Sequence, residues 1–505
     1  MEGALDITWV KVIDQTRCIG CHACTTACKS ENEVPLGVTR TYVKNVDIGV
    51  FPSTRRAFQV TRCNQCDDPP CVEACPTSAM FRRPDGIVDF DKSICIGCKA
   101  CMAACPYDAI FINPEDHSAE KCNFCAHRLE VGLEPACVIV CPVEAILVGD
   151  LHDPASRVAR YVNQDAVQVR RPEKGTRPKL YYKGAHAATL DPIAARQPPG
   201  GLFMWSQQPA GKNQLTSGHP SAGSSSAAAL LSYDIGHHLP WDWRVGLYTW
   251  TKGIAAGTYL TGIALALLGL LPWEGSLLRV GVPLVSGLFL VLTGLALIWD
   301  LEHPERFFYV LIRPQWRSWL ARGAAVISLY GAVLAGHFLL GLGGHGRAAA
   351  WLAAAGVPLA VLTAVYTAYL FAQARGRDLW QSPLLPPHMA VQALALGAAA
   401  LAPLTAWLEP RALPPILILL AVACAVHLLL VAAEATLAHP TAHAQLAAHN
   451  LFWGRLAPWL WGGAALVLVA VFAPWLGPAA ALPALLGLLA HEHGYVQAGQ
   501  SVPLA

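Results

Sequence analysis

Beyond Arg244 the chain alternates long uncharged windows with short loops that carry the charges. Windows at 254–271, 280–299, 323–342, 348–373, 389–408 and 412–433 come close to or exceed the roughly 20 residues a helix needs to cross a bilayer. The run 456–490 holds 35 uncharged residues, roughly 52 Å as a straight helix and too long for one crossing. Gly477-Pro478 near its middle marks a turn, so the run divides. Eight helices result, with both ends of the body on one side; left undivided, the run gives seven and puts Ala505 on the opposite face. No comparable apolar run precedes Arg244. The pattern predicts an all-α membrane body over 244–505, a water-soluble head over 1–150, and an extended linker over 151–243.

Charge follows the same division. Of 505 residues 14% are charged, against roughly 25% in an average globular chain, and only 19 of the 261 positions from 245 onward are. With a formal net charge of only +2, nothing suggests a nucleic-acid binder, and none is expected as a partner. In the linker, Arg170, Arg171, Lys174, Arg177, Lys179 and Lys183 form a basic stretch, expected as a solvated strap beside anionic lipid headgroups or a contact to a partner. The low-complexity run 217–229, SGHPSAGSSSAAA, reads as flexible tether.

Sixteen of the 17 cysteines lie between Cys18 and Cys141, in four groups of four. Cys18, Cys21, Cys24 and Cys28 are spaced C-x2-C-x2-C-x3-C, and Cys95, Cys98, Cys101 and Cys105 repeat that spacing. Cys63, Cys66, Cys71 and Cys75 have a four-residue gap in the middle, and Cys122, Cys125, Cys137 and Cys141 a gap of eleven. Pro76, Pro106 and Pro142 follow the last cysteine of three groups, while Lys29 follows the first group. This is the ferredoxin run, in which three close thiolates hold one 4Fe-4S cluster and the fourth reaches a neighbouring cluster. C-x2-C spacing strains disulfides, and residues 1–13 do not read as an export signal. Zinc ribbons use two thiolate pairs rather than triplets with a remote fourth. The expected head is therefore α+β and ferredoxin-like, with four 4Fe-4S clusters acting as an electron wire and iron bound by all sixteen cysteines.

The motifs TRCIGCHACTTAC, RCNQCDDPPCVEACP, CIGCKACMAACPYDAI and KCNFCAHR…PACVIVCP make residues 7–150 resemble the four-cluster electron-transfer subunits of the dimethyl-sulfoxide and polysulfide reductase type. The resemblance implies pairing of the first group with the fourth and the second with the third. The ligand sets it implies are Cys18/Cys21/Cys24/Cys141, Cys28/Cys122/Cys125/Cys137, Cys63/Cys66/Cys71/Cys105 and Cys75/Cys95/Cys98/Cys101, the first set lying nearest the membrane. It also implies a separate molybdenum or tungsten pterin subunit as catalytic partner, of the kind that handles formate or sulfur compounds.

The segments KGIAAGTYLTG, DLEHPERFFYVLIRPQWRSWLARG, AVYTAYLFAQARGRDLWQSPLLPPHM and YVQAGQSVP make the body resemble the NrfD or polysulfide-reductase membrane subunits. These bind quinone, here menaquinone or ubiquinone, and carry no haem. Where the polysulfide-reductase subunit has an Asn/His pair early in its first helix, Arg244–Lys252 has neither residue. Lys252, one turn inside the first helix, either snorkels to the headgroups or binds a quinone carbonyl. Tyr366 and Tyr369 share a helix face, and the family's quinone tyrosine falls in this helix, which favours Tyr366. Asp300 and Glu302 are expected to relay protons, or to cap the second helix and pair with Arg306. Glu434 is expected to reach His427, two turns deeper. His337 and His427 lie at depths differing by roughly 12 Å, which argues against one bis-histidine haem. His491 and His493 are expected at the interface.

Loops on the head's side carry seven Lys and Arg residues and the opposite loops three. The positive-inside rule then puts the head in the cytoplasm and the body in the inner membrane as a multi-pass anchor. The expected function is electron transfer between the pterin enzyme and quinone, in either direction. A membrane-anchored ferredoxin docking soluble donors and a haem or proton-pumping module are the alternatives, and the sequence does not fix whether the complex forms a larger oligomer.

Overall fold

The computed structural model of the protein describes residues 7–49, 52–196 and 229–505. The chain forms two compact units, Met1–His238 with Pro503–Ala505, and Leu239–Val502.

In the first unit β1 (Trp9–Asp14) lies between β8 (Ile146–Asp150), antiparallel to it, and β10 (Leu180–Lys183), parallel to it; β9 (Val167–Gln168) extends the sheet beyond β10. A second sheet pairs β2 (Thr41–Ile48) with β3 (Arg55–Arg62) and adds β11 (Leu230–Tyr233) on the far side of β2. Two small hairpins follow the second and third cysteine groups: β4 (Met80–Arg82) with β5 (Val88–Phe90), and β6 (Ile110–Ile112) with β7 (Ala119–Lys121). The first turns at Pro84-Asp85-Gly86, where Gly86 takes φ +75°. Short helices α1 (Ala23–Glu31), α2 (Pro70–Ala74), α3 (Ala100–Ala104), α4 (Ala126–Leu129) and α5 (Ala136–Ile139) each carry or abut cysteines.

The two CIGC repeats fold alike. Gly20 and Gly97 have φ +69° and +67°, and His22 and Lys99, just before α1 and α3, have φ +59° and +60°. Left-handed backbone at both positions curls each loop so that successive cysteines face one centre, and glycine adopts it without steric cost.

The described residues of 151–243, namely 151–196 and 229–243, do not form the extended linker that composition predicts. Helix α6 (Arg157–Gln164), β9, β10, α7 (Ala187–Leu190) and β11 all build on the head. Half of its basic stretch is interior: Arg170, Arg171 and Lys179 are buried. Arg171 Nη1 donates to Pro106 O at 3.1 Å and Lys179 Nζ to Gly86 O at 2.7 Å, while Arg177 pairs with Asp68 at 2.7 Å. Carbonyl acceptors replace water around these cations, which a count of basic residues cannot reveal. Residues 217–228 of the proposed tether lie outside the described residues.

The second unit is helical. It comprises α8 (Trp243–Leu267), α9 (Val282–Trp299), the short α10 (Tyr309–Ile312), α11 (Trp319–Leu342), α12 (Gly346–Ala372), α13 (Leu385–Leu408), α14 (Leu413–Thr436), α15 (Ala442–Phe452), α16 (Ala457–Ala470), the short α17 (Ala473–Leu476) and α18 (Ala481–Gly499). Asp242 caps α8 by accepting from Arg244 N at 2.8 Å, so the helix starts well before the apolar window at 254. Among the described residues six helices are long and apolar enough to cross a membrane, and α15 with α16, bent by 63°, makes a seventh if the pair is one span. Helix α8 is outside that set because Lys252, Thr249, Thr251, Thr258 and Thr261 break its apolar character; all five are buried. The uncharged run 456–490 forms two helices, α16 and α18, with Gly477 at φ +63° between them.

Helices α8 and α13 are the inner pair, and small residues bring their backbones together. A Cβ on Gly257 would overlap Ala393 O, and one on Gly397 would overlap the Gly257 carbonyl carbon. Because backbone stands on both sides, no rotamer change relieves the clash. Gly397→Ala is therefore expected to destabilise the body by about 1–3 kcal/mol or more, read as a lower Tm in detergent. Gly462→Ala, which meets open space, should leave Tm unchanged.

A pH-sensitive tie closes the first unit. His237 Nδ1 lies 2.6 Å from Asp108 Oδ2 and its Nε2 3.3 Å from Asp234 Oδ2. Burial alone would lower the imidazole pKa, but the two carboxylates outweigh it and raise it to about 9. A raised folded-state value makes this contribution complete below the unfolded value of about 6.5 and lost as pH climbs through 9. Hydrogen-exchange protection around β11 should fall across that window, and His237→Gln should abolish the pH dependence.

Candidate functional site

The sixteen cysteines sit in loops and at the ends of short helices, and all are free of disulfides. Cys24 and Cys28 lie on α1, Cys71 on α2, Cys101 on α3 and Cys137 on α5; Cys75 and Cys105 close α2 and α3, and Cys125 opens α4. Electrostatic interactions link thiols of one cysteine group to thiols of another. Cys24 interacts with Cys18, Cys141 and Cys137, and Cys18 with Cys21 and Cys141. Cys28 interacts with Cys122, Cys137 and Cys125. Cys66 interacts with Cys63, Cys71 and Cys105, and Cys101 with Cys98, Cys75, Cys95 and Cys71. Cysteines distant in sequence are thereby brought together, and Cys24–Cys137, Cys63–Cys122 and Cys71–Cys101 run between the sets that the resemblance implies.

Burial pushes the Cys24 thiol up to about 11 and the Cys28 thiol up to about 12, so water alone would not ionise them at neutral pH. Burial works the same way on Cys137, but Arg62 and Lys11 beside it hold its thiol below the ordinary value. Arg62 is buried and its Nη1 donates to Cys137 Sγ at 2.9 Å, while its Nε and Nη2 meet no hydrogen-bond partner among the described residues. Lys11 Nζ stands 4.0 Å from the same sulfur. Backbone N–H groups add to this: Ala145 donates to Cys141 Sγ at 3.2 Å, and Gly97 and Ala119 both donate to Cys95 Sγ at 3.4 Å. Buried thiols, buried cations with spare donors, and N–H groups aimed at sulfur suit an anionic iron–sulfur cluster with thiolate ligands. When bound, such clusters supply one-electron redox chemistry that no side chain of this protein provides.

In the body, Lys252 lies nine residues beyond Trp243, roughly 13 Å along α8, rather than one turn inside. It is 1% exposed, so it does not snorkel. Its Nζ donates to Thr367 Oγ1 at 2.6 Å and Ala364 O at 3.1 Å, and stands 4.8 Å from the centre of the Tyr366 ring. Glu492 of α18, also buried, interacts with Lys252 and with the Thr249 hydroxyl. Tyr248 and Tyr366 both engage Thr367. Tyr369, by contrast, is 40% exposed and stacks on Trp319. Gly323 leaves room for the inward Tyr366 ring, which any Cβ there would strike.

Asp300, at the C-terminus of α9, pairs with Arg244 at 3.6 Å, and Arg306 pairs with Glu305. Two expectations change. Glu434 accepts from Ser382 Oγ at 3.3 Å instead of reaching His427, whose Nδ1 lies 2.8 Å from His388 Nε2. His491 is buried among those histidines and not interfacial. The signal for Glu492 was present in His491-Glu492-His493: at 100° per residue, three consecutive helical positions point three ways. His493 accordingly faces Trp459. His337 bonds Tyr259 at 3.0 Å and belongs to a separate network from His427.

Residues 9–30 match a family described as 4Fe-4S binding domain, 54–151 the 4Fe-4S dicluster domain, and 234–480 Polysulphide reductase, NrfD. The B subunit of tetrathionate reductase from Salmonella typhimurium is 44% identical over 214 residues, 41% of this chain and 83% of that protein. The B component of polysulfide reductase from Wolinella succinogenes is 42% identical over 171 residues, 33% of this chain and 90% of that protein. The NrfC protein of Escherichia coli strain K12 is 43% identical over 173 residues, 34% of this chain and 78% of that protein. With thiol sets in its head and a multi-pass body behind them, the chain belongs to this family of 4Fe-4S electron-transfer subunits, joined in one polypeptide to an NrfD-type membrane domain.

Proposed function

We propose that this chain is the membrane-bound electron-transfer subunit of a molybdopterin oxidoreductase, carrying electrons between a molybdenum or tungsten catalytic partner and menaquinone or ubiquinone. Four 4Fe-4S clusters occupy the four thiol sets. Two of the relatives are named for tetrathionate and polysulfide, so the partner acts on a sulfur compound in preference to formate. Counting α8 with the six apolar helices and the bent pair gives eight spans. Both ends of the body then share one side, which the basic loops assign to the cytoplasm, with the body in the inner membrane.

One observation carries the quinone reading: Lys252, Tyr366 and Glu492 converge inside the body, where an ionisable group needs a functional or pairing reason to exist. Reducing a quinone takes two electrons and two protons. The Lys252 ammonium is suited to hold a quinone oxygen and deliver a proton, and Glu492, which also meets the Thr249 hydroxyl, to resupply it. Asp300 with Arg244, at the ends of α9 and α8, extends that path toward the helix ends, and Glu434 with Ser382 offers a second entry.

Two tests follow from these contacts. The full chain in nanodiscs, photochemically reduced and freed of reductant, should be reoxidised by a menaquinone analogue. Lys252→Met should slow that step at least about tenfold while iron stays near about sixteen atoms per chain. Reoxidation equally fast in the variant would remove Lys252 from the site, and no reoxidation in the parent would defeat the quinone reading. Arg62→Gln should lower one cluster potential by roughly 60–130 mV, since a hydrogen bond to a charged group contributes about 1.5–3 kcal/mol and 59 mV corresponds to about 1.4 kcal/mol. An EPR-monitored redox titration reads the shift.

A further inference from the structure

We propose that His388, His427 and His491 form a binding site for one zinc-class divalent cation inside the membrane body. The three histidines come from three helices, α13, α14 and α18, and 39 and 64 residues separate them along the chain. They are 7%, 1% and 5% exposed. One ring nitrogen from each lies within 4.8 Å of the other two, and His388 Nε2 stands 2.8 Å from His427 Nδ1. Ring centres are 4.9, 5.2 and 4.7 Å apart, so no ring is shielded from the others.

The chemistry of the donors singles out a metal. A neutral imidazole has one donor and one acceptor nitrogen, so the His388–His427 contact is satisfied by a single shared proton. His491 brings a third ring nitrogen within 4.8 Å of both, which adds a second lone pair or a second N–H beside a contact that one proton already satisfies. A cation accepts all three lone pairs together. Zinc takes histidine nitrogen at about 2.0–2.1 Å, which puts tetrahedral ligand atoms roughly 3.3–3.4 Å apart. The nitrogens already bracket that spacing, so small shifts would complete it. Three protein ligands leave a fourth position open for water or an anion. His491 also stacks on Tyr495 of the same helix.

The site stands on its own geometry and is independent of the quinone reading. Its test is elemental analysis and zinc-edge X-ray absorption on the cluster-loaded full chain after incubation with Zn2+ and desalting. The expected result is one zinc per chain with three imidazole nitrogens at about 2.0–2.1 Å. His427→Gln and, separately, His491→Gln should cut retained zinc about tenfold or more at unchanged iron content. No retained zinc in the parent protein overturns the proposal. So does a sulfur shell at about 2.3 Å, which would put the zinc in a cysteine set, or zinc that survives both substitutions. The parent spectrum decides the question even if a variant fails to fold.

Discussion

A charge taken out of water must be met by an opposite charge or by hydrogen bonds, and both halves of this chain are built around that requirement. In the head it takes the form of Arg62 and Lys11 against Cys137, and of backbone N–H groups directed at sulfur. In the body it takes the form of Lys252 held by Thr367, Ala364 O and Glu492. Removing Arg62 would leave thiolates uncompensated, and removing Glu492 would leave a buried ammonium. Each half therefore carries a buried basic side chain at its site: Arg62 lies against the Cys137 sulfur in the head, and Lys252 is enclosed by hydroxyl, carbonyl and carboxyl groups in the body.

Backbone packing makes the second arrangement attainable. Gly257 and Gly397 let α8 and α13 approach so closely that the interior is lined by short side chains. Polar groups of α8 then reach α12 and α18 without crossing lipid. That is why the least apolar long helix is the one most enclosed by others, and why its threonines can be buried beside tyrosines. The same enclosure leaves α11, with far less of its apolar window covered, to face the bilayer.

Much of this was legible in the sequence because two signals are nearly free of tertiary context. Cysteine spacing encodes a local loop that must wrap one centre, and the CIGC repeats do adopt one backbone at Gly20 and Gly97. Uncharged run length encodes bilayer thickness. What composition misjudged were long cations and consecutive helical positions. Arg170, Arg171 and Lys179 looked solvated but are buried, with Arg171 and Lys179 on carbonyl oxygens of the head, because their acceptors come from segments distant in sequence. Lys252 looked able to snorkel until the start of α8 at Trp243 set its depth. His388, His427 and His491 lie far apart in sequence, and only the packing of three helices makes them neighbours.

The central claim is that one polypeptide stores electrons on four clusters and discharges them onto quinone, and electron counting tests it most directly. The fully reduced chain, in nanodiscs with excess menaquinone analogue and no oxygen, should produce about two quinols per chain as about four one-electron clusters reoxidise. Clusters that remain reduced, or a yield near zero with iron intact, would contradict the account.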